Sequence, residues 1–429
     1  MRARLSAWLE RLGDQFWLRP ALLILLGLGL GQTVVWCDEI WETGAEGSGL
    51  AWSYAGGAEG ARSLLSAIAS STIGVAGTVF SITIAALSLA SNQMGPRLLR
   101  NFVRDSRNQY ALGIFLGTHA YALIVLRTVR TVQETAFVPH LAVSGAILLA
   151  LVSLGTLVWF VHHVATSINV ETVIDAVHGD LCRAIDSQTL AKPDIGAPAH
   201  SPEGPILRCE TGGYLQAIDL DGLADWAHAQ GVRLHLWVRP GDYVPMALPV
   251  AQLSAGRDGA QEALRANLTF GRQPAALQNL EYAIHQLSEI AVRALSPGIN
   301  DPFTAASVLA HFGDALCRIA PRHLMSGAVA RDGTVVATRP VTDYNGLCDA
   351  MFHVIRQNAA DSPYVLIRLV EVLTDVARVE RRIDRLAELQ RHADLVMASC
   401  GDGLDPSGRE DLAARHRRFL DVVAEGGAP

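Results

Sequence analysis

The segment from Ser63 to Pro96 determines the fold of this chain. It reads SLLSAIASSTIGVAGTVFSITIAALSLASNQMGP and contains no charged residue. Its apolar part, residues 64–90, is longer than the about 20 residues that an α-helix needs to cross a bilayer. We therefore predict a transmembrane helix that tilts or extends beyond the membrane.

Three more apolar segments surround this one and complete a predicted four-helix transmembrane domain over residues 1–164. One precedes it, and two follow it. The last segment ends with Trp159 and Phe160, aromatic residues of the kind that concentrate at membrane interfaces. The predicted spans are 17–36, 64–90, 110–126 and 138–160.

The composition of the whole chain agrees with a membrane protein that contacts the lipid bilayer. Half of the 429 residues are hydrophobic, 18% are charged, and the mean hydropathy is +0.24. Such a composition excludes a disordered chain. The net charge of −7 is spread along the whole length, so we predict no nucleic-acid partner.

The charges beside the spans predict a bacterial inner-membrane protein with both termini in the cytoplasm. Cytoplasmic loops of membrane proteins carry an excess of Lys and Arg. Arginines precede the first span and fill the loop between the second and third, whereas the loop between the first and second is acidic. Arg127 and Arg130, between the third and fourth spans, oppose this assignment. The arginines are Arg2, Arg4, Arg11, Arg19, Arg97, Arg100, Arg104 and Arg107, and the acidic residues are Asp38, Glu39, Glu42, Glu46 and Glu59.

Behind the last span, the pattern predicts an α+β cytoplasmic domain made of a small β-rich unit and a helical bundle. Residues 165–204 are predicted to be a helix and a Pro/Gly/Ala-rich linker. Residues 205–256 form the β-rich unit, where apolar and polar residues alternate over 232–238. Residues 257–429 are predicted to be mainly helical, with a β excursion at 327–339 and one long helix over 364–398.

Small residues recur along one face of the second span. Their spacings of three, four or seven residues place them on one side of a helix. Small residues let helices pack closely in a membrane, and hydroxyls can also line a wet path through an oligomer. Helix packing and pore lining are both open for this face, which consists of Ser66, Ser70, Gly74, Gly77, Ser81 and Ser88.

A ladder of four ionisable residues lies on a predicted helix over 277–295. They stand four residues apart and therefore share one stripe beside the apolar face. A salt-bridged flank of a bundle helix accounts for them, and so does a carboxylate–histidine cluster that binds a ligand with help from other helices. The residues are Glu281, His285, Glu289 and Arg293.

A polar corner follows this helix. Pro297 and Gly298 end it, and Asp301 and Pro302 are typical of the N-cap and first position of another helix. Turn formation alone accounts for such residues, but a helix N-terminus beside Arg293 can also bind a small anionic ligand. The corner residues are Ser296, Asn300, Asp301 and Thr304.

The usual sequence signatures of enzymes and metal sites are absent. The chain has no G-x-S-x-G, no H-E-x-x-H and no G-x-G-x-x-G after a strand. Its one lysine, Lys192, lies in a Pro/Gly/Ala-rich stretch. The six cysteines are scattered without a C-x-x-C pair, which argues against a zinc site. We therefore predict no catalytic residue, no metal and no cofactor.

Two segments resemble the signatures of a known family. They are FSITIAALSLASNQMGPRLLRNF at 80–102 and IAVRALSPGINDPFTA at 290–305. Both are similar to bacterial membrane proteins grouped as domain of unknown function 2254. The resemblance covers nearly the whole chain and implies the four-span plan, but it implies no activity. At Asn279 the chain departs from the family, which usually has an acidic residue there.

Three functions are open at the level of sequence. The first is a homo-oligomeric channel or transport-related protein that is gated by its cytoplasmic domain. The second is a membrane-anchored sensor or scaffold without a conducting path. The third is an enzyme that uses the polar residues of 281–304, and it has the least support.

Overall fold

The computed structural model describes residues 16–42, 54, 56–94, 105–130, 137–167, 169–194, 202–274, 278–399 and 404–426. By their internal contacts, the residues fall into two units, Met1–Asn169 and Val170–Pro429. The domain boundaries at 164, 204 and 256 stay a prediction. Of the charged residues used to predict the orientation, those at 2–11, 46 and 97–104 lie outside the described part of the chain.

The described residues of the first unit form four long helices, which confirms the prediction from the apolar segments. They are α1 (Leu18–Glu42), α2 (Ala58–Met94), α3 (Ser106–Thr128) and α4 (His140–Ser167). Each is long and apolar enough to cross a membrane. At 37 residues, α2 is about 55 Å long, whereas the hydrocarbon core of a bilayer is about 30 Å thick. This helix must therefore tilt or extend beyond the membrane.

The helix α3 lies at the centre of the first unit and packs against the other three. In its most apolar part, 56% of the residues are buried, against 17% in α2. Glycines allow α1 and α3 to approach closely. A Cβ on Gly117 would lie 2.7 Å from the carbonyl oxygen of Leu23, and one on Gly27 would overlap the carbonyl oxygen of Gly117. Small residues at such crossings are the usual basis of helix packing in membranes.

Polar contacts fix the start of α4. The buried carboxylate of Asp38, on α1, accepts hydrogen bonds from the backbone N–H groups of Leu141 (3.2 Å) and Ala142 (2.9 Å). The hydroxyl of Tyr121, on α3, donates to the carbonyl oxygen of Ala142 at 2.9 Å. Asp38 therefore satisfies first-turn amides that have no partner within their own helix.

In one part of the second unit, the described residues form ten strands and two short helices. The helices are α6 (Leu220–Ala229) and α7 (Ala260–Asn267), and the strands are β1 (Thr189–Leu190), β2 (Ile206–Arg208), β3 (Gly213–Ile218), β4 (Leu234–Leu236), β5 (Tyr243–Val244), β6 (Pro249–Leu253), β7 (Leu268–Gly271), β8 (His323–Leu324), β9 (Ala328–Arg331) and β10 (Thr334–Thr338). The sheet orders are β2-β6-β4-β10-β9, β5-β3-β7 and β1-β8. Because β10 pairs in parallel with β4, the predicted β excursion at 327–339 adds two strands to the sheet of the β-rich unit.

Seven more helices are formed by the described residues of the second unit. They are α5 (Val170–Gln188), α8 (Leu280–Ala294), α9 (Pro302–Ile319), α10 (Tyr344–Asn358), α11 (Pro363–Val379), α12 (Ile383–Ala398) and α13 (Pro406–Ala424). The helix α8 packs against α5, α9 and α10 through a stripe that includes the fully buried Ile284, Leu287 and Ala291. Four transmembrane helices followed by a mixed α and β region confirm the predicted fold class.

The single helix predicted over 364–398 is wrong, because α11 ends at Val379 and α12 begins at Ile383. Glu380 lies in the break. Its carboxylate accepts hydrogen bonds from the backbone N–H groups of Arg381 (2.9 Å) and Arg382 (3.0 Å). These contacts satisfy amides that a continuous helix would bond to its own carbonyl groups.

A buried ion pair stabilises this break. Arg385 donates to Glu380 at 3.2 Å and to the carbonyl oxygen of Arg322 at 3.0 Å, and the side chains of Arg385 and Glu380 are both buried. The guanidinium also lies over the ring of Tyr344, 4.8 Å from its centroid. Removing one partner of such a pair leaves an uncompensated buried charge.

Candidate functional site

The small residues of α2 lie on an exposed face of the first unit. A Cβ on Gly74 or Gly77 would meet no atom within 4 Å, so no described residue packs against the middle of this face. Four more small residues are exposed beside the six that the sequence indicated. The complete face is Ser66, Ala67, Ser70, Ser71, Gly74, Gly77, Thr78, Ser81, Ala85 and Ser88.

The small face lies on the side of α2 opposite to its contact with α3. The buried side carries larger apolar residues such as Leu65, Ile68 and Val79. At about 100° per residue, the ten small residues cover about 140° of the helix circumference. The chain therefore buries one side of α2 within its own fold and leaves a broad stripe of small residues without a partner among the described residues.

Hydroxyl groups on the small face bond to their own helix. The hydroxyl of Ser81 donates to the carbonyl oxygen of Gly77 at 2.9 Å, and that of Thr78 donates to Gly74 at 3.2 Å. Such bonds to the preceding turn satisfy the donor of a hydroxyl in lipid. Each oxygen still offers lone pairs to a further partner.

The first residue of the predicted ladder is paired at the N-terminal end of α8. Arg239 donates from its two terminal nitrogens to the two carboxylate oxygens of Glu281, at 2.8 and 3.0 Å. The hydroxyl of Thr342 donates to the same carboxylate at 2.6 Å. Bidentate pairs of this kind are strong and directional. Because Arg239 follows β4 and Thr342 follows β10, the pair connects the sheet to α8.

Asn279 caps the N-terminal end of α8. Its side-chain oxygen accepts a hydrogen bond from the backbone N–H of Glu281 at 3.0 Å. Its amide nitrogen lies against Gly241, where φ is +103° and a Cβ would overlap that nitrogen. Only glycine combines this backbone conformation with so close an approach.

The polar corner at the other end of α8 forms a turn. The hydroxyl of Ser296 donates to the carbonyl oxygen of Arg293 at 2.7 Å. Asn300 has a φ of +50°, and its backbone N–H bonds to Ser296 at 2.9 Å. Asp301 caps α9, since one carboxylate oxygen accepts from the N–H of Thr304 at 3.2 Å and the other from its hydroxyl at 2.6 Å.

The four residues of the predicted ladder are spread along α8 and do not converge on one point. Glu281 and Arg293 stand at opposite ends of α8, about 18 Å apart along its axis. Between them, His285 is exposed and Glu289 is half-buried. The role of these residues as one ligand site stays a prediction.

Arg339 is a residue that sequence reasoning missed. It lines a cleft between the end of β10 and the start of α8, together with Gln188, Arg239, Asn279 and Thr342. Burial lowers the pKa of Arg339, and no charged group among the described residues counteracts that effect. Its guanidinium has no hydrogen bond or ion pair with the described residues. A single arginine after a strand carries no pattern from which this could have been predicted.

The comparison with known proteins agrees with the architecture. A family model described as "Predicted membrane protein (DUF2254)" matches residues 13–375. The chain belongs to this family. Membership in DUF2254 confirms the resemblance of the two quoted segments, and with the four apolar helices it identifies a membrane protein.

The relatives within DUF2254 reach the full length of the chain. An uncharacterized protein of Mycobacterium tuberculosis (strain CDC 1551 / Oshkosh), MT1328, is 30% identical over 454 aligned residues, covering 100% of this chain and 84% of the relative. The uncharacterized protein Mb1321c of Mycobacterium bovis has the same identity and coverage. No solved structure matches the chain significantly. The alignments therefore cover the whole chain, and the names of the relatives carry no activity.

Proposed function

We propose that this DUF2254 protein is a homo-oligomeric channel or transport-related protein, assembled around the small face of α2 and regulated by its second unit. The observation that supports this is the broad stripe of exposed small residues with no partner among the described residues. In a bilayer, apolar side chains gain little by leaving lipid, so helices place small residues where they meet protein. Such a face is expected where α2 meets another copy or water.

The width of the small face favours a ring of α2 helices. A single helix pair uses a narrow seam of small residues spaced four apart. A helix beside the axis of a ring contacts a neighbour on each side and faces the axis between them. That arrangement uses a broader stripe than a single helix pair does, and hydroxyls at its centre can line a wet path without the cost of a buried charge.

Labelling of single positions on α2 by a water-soluble reagent tests whether the small face lines a water path. After replacement of the six native cysteines, Ser70→Cys, Gly77→Cys, Ser81→Cys and Ser88→Cys should react with a membrane-impermeant thiol reagent in the intact assembly. Ile73→Cys and Phe80→Cys are matched controls, because these residues are 44% and 48% exposed on the same helix outside the small face. They should stay unreactive in lipid. Protection of all six positions in intact oligomers would exclude the channel.

The second function is a membrane-anchored sensor or scaffold. The bonds from Ser81 and Thr78 to their own helix favour it, because hydroxyls satisfied in this way do not require a water path. The two functions differ in the effect of Gly74→Leu, because Gly74 lies near the centre of the small face. In a scaffold that packs through this face, the variant should dissociate the oligomer, whereas in a channel it should leave the oligomer intact and block conduction.

We infer further that the chain lies in the bacterial inner membrane with both termini in the cytoplasm. The arginine-rich N-terminal segment and the arginine-rich loop before α3 should lie on the same side. One contact supports this. The guanidinium of Arg19, at the start of α1, lies 3.3 Å from the side-chain oxygen of Gln109 and over the ring of Tyr110, both at the start of α3.

A small anion is the proposed regulatory ligand of the second unit. The support is the cleft of Arg339, where a partly buried cation lacks a charged partner among the described residues. Inorganic phosphate and short dicarboxylates should raise the thermal stability of the full-length protein, and Arg339→Gln should remove that increase. Arg208→Gln, which removes an exposed arginine bonded to the carbonyl oxygen of Ala247, is the control. An equal increase in both variants would refute the site.

A further inference from the structure

A cluster of three metal-ligand side chains lies between α5 and α9. His178 and Cys182 stand four residues apart on one face of α5, and Asp314 lies on α9. The Nε2 atom of His178 is 2.9 Å from Oδ2 of Asp314 and 3.4 Å from Sγ of Cys182. All three ligand atoms lie within 4.8 Å of one another. We propose that His178, Cys182 and Asp314 bind a zinc ion that joins α5 to α9.

The distances fit zinc with a small adjustment. With Zn–N of about 2.0 Å and Zn–S of about 2.3 Å in a tetrahedral site, the ligand atoms lie about 3.3–3.6 Å apart. The separation of nitrogen and sulfur already has this value. The carboxylate must move away from the imidazole by about half an ångström. The side chain of Asp314 can do so, because it is 67% exposed.

The chemistry of the three groups also fits zinc. Nitrogen, sulfur and oxygen ligands together are typical of Zn²⁺, whereas Mg²⁺ and Ca²⁺ prefer oxygen alone. Thiolate and carboxylate together neutralise the two charges of the ion. The guanidinium of Arg318 is bonded to Asp186 at 3.1 Å and also acts electrostatically on Cys182 and Asp314 from outside the three ligand atoms.

One coordination position is left for water. The neighbouring ring of His311 packs edge-on against His178, with 4.8 Å between the ring centroids. Its Nδ1 donates to the carbonyl oxygen of Ser307 at 2.8 Å, and its Nε2 faces Asp175 at 3.1 Å. Both ring nitrogens of His311 therefore already have partners. The proposed site then has three protein ligands and one open coordination position. That is the pattern of zinc sites that accept an exchangeable fourth ligand.

A second cluster with similar residues does not meet these conditions. Asp349, His353 and His392 also approach one another between α10 and α12. Their centre is filled by the guanidinium of Arg391, which contacts both Asp349 and Glu388. A cation is thus already present there as part of the chain. This difference between the two clusters favours the cluster between α5 and α9 as the metal site.

The test uses full-length protein in detergent, stripped of metal by a chelator and kept reduced. Titration with Co²⁺ should give one ion per chain and a sulfur-to-cobalt charge-transfer band, and Zn²⁺ should displace it. Cys182→Ser should remove the band. Asp314→Asn should weaken zinc binding at least about tenfold, since even the loss of a group that only hydrogen-bonds to a metal ligand costs about 10–100-fold in affinity. Because the side chain of Asp314 is exposed, this variant is expected to fold, so a loss of affinity would reflect the lost ligand.

Two control variants separate the cluster from its surroundings. Cys317→Ser removes a nearby cysteine of α9, and His353→Asn removes a member of the second cluster. Both should retain the band and the affinity of the unchanged protein. A band that persists in Cys182→Ser, full affinity in Asp314→Asn, or loss of binding in His353→Asn would each overturn the proposal.

Discussion

The ring of His392, on α12, is fully buried among charged and titratable side chains. Its Nε2 lies 3.3 Å from carboxylate oxygens of both Asp349 and Glu388. The ring of His353 and the guanidinium of Arg391 lie beside the ring of His392. Burial and then the charge of Arg391 lower the pKa of His392 to about 3. The folded protein therefore holds this histidine neutral.

His392 makes stability depend on pH. Below the ordinary pKa of 6.5, the unfolded chain takes up a proton that folded His392 does not accept, so stability falls as the pH drops from there toward about 3. Between about pH 7 and about pH 5, this group should lower the free energy of unfolding by about 2 kcal/mol. In chemical unfolding of the full-length protein in mixed micelles, the free energy of unfolding of His392→Gln should fall over the same pH range by about 2 kcal/mol less than that of the unchanged protein. Above neutral pH, the two proteins should respond alike; identical losses in acid would contradict the assignment.

At the scale of elements, Asp301 determines where α9 begins. Its carboxylate accepts from the backbone N–H groups of Phe303 (3.1 Å) and Thr304 (3.2 Å), and the hydroxyl of Thr304 lowers the pKa of Asp301. Asp301→Ala should cost about 0.5–2 kcal/mol, as expected for a lost cap. Hydrogen exchange at the amides of Phe303 and Thr304 should accelerate in that variant and much less in Asp301→Asn, which keeps an acceptor. The contribution of the carboxylate is present above its ordinary pKa and is lost as the pH falls through the lowered value.

Helix ends with local capping residues could be predicted from the sequence, whereas ends fixed by distant residues could not. Asp301 and Pro302 mark the start of α9 as expected. The break at Glu380 was missed because Arg385 and the carbonyl oxygen of Arg322 stabilise it through the tertiary fold. Likewise, the alternating strand around Leu234 was predicted, but its parallel pairing with β10 joins segments about a hundred residues apart.

At the scale of the whole molecule, composition predicted the four membrane helices because crossing a bilayer requires long apolar segments. The face of α2 was also predictable, since helical spacing groups its small residues. Its exposure was not, because that depends on which side α3 covers. The cluster of His178 and Asp314 was beyond sequence reasoning, as 136 positions separate the two residues.

The orientation of the whole chain can be tested with reporter fusions. A reporter that is active only in the cytoplasm should be active after Phe160 and inactive within the loop 43–53. The physical reason is the excess of arginine on one side of the spans. Fusions within 131–136, beside the opposing Arg127 and Arg130, should also be inactive. Cytoplasmic activity in either loop, or its absence after Phe160, would contradict the four-span orientation.

The close succession of α4 and α5 has a mechanical consequence. The first ends at Ser167 and the second begins at Val170, so residues 168–169 alone connect them. Three Cα–Cα steps separate Ser167 from Val170, so the chain between them spans at most about 11 Å. The end of α4 and the start of α5 therefore cannot separate by more than this length unless one of the helices unwinds. Inserting several glycines between residues 168 and 169 should lengthen this link and remove the limit on separation, while leaving each unit folded.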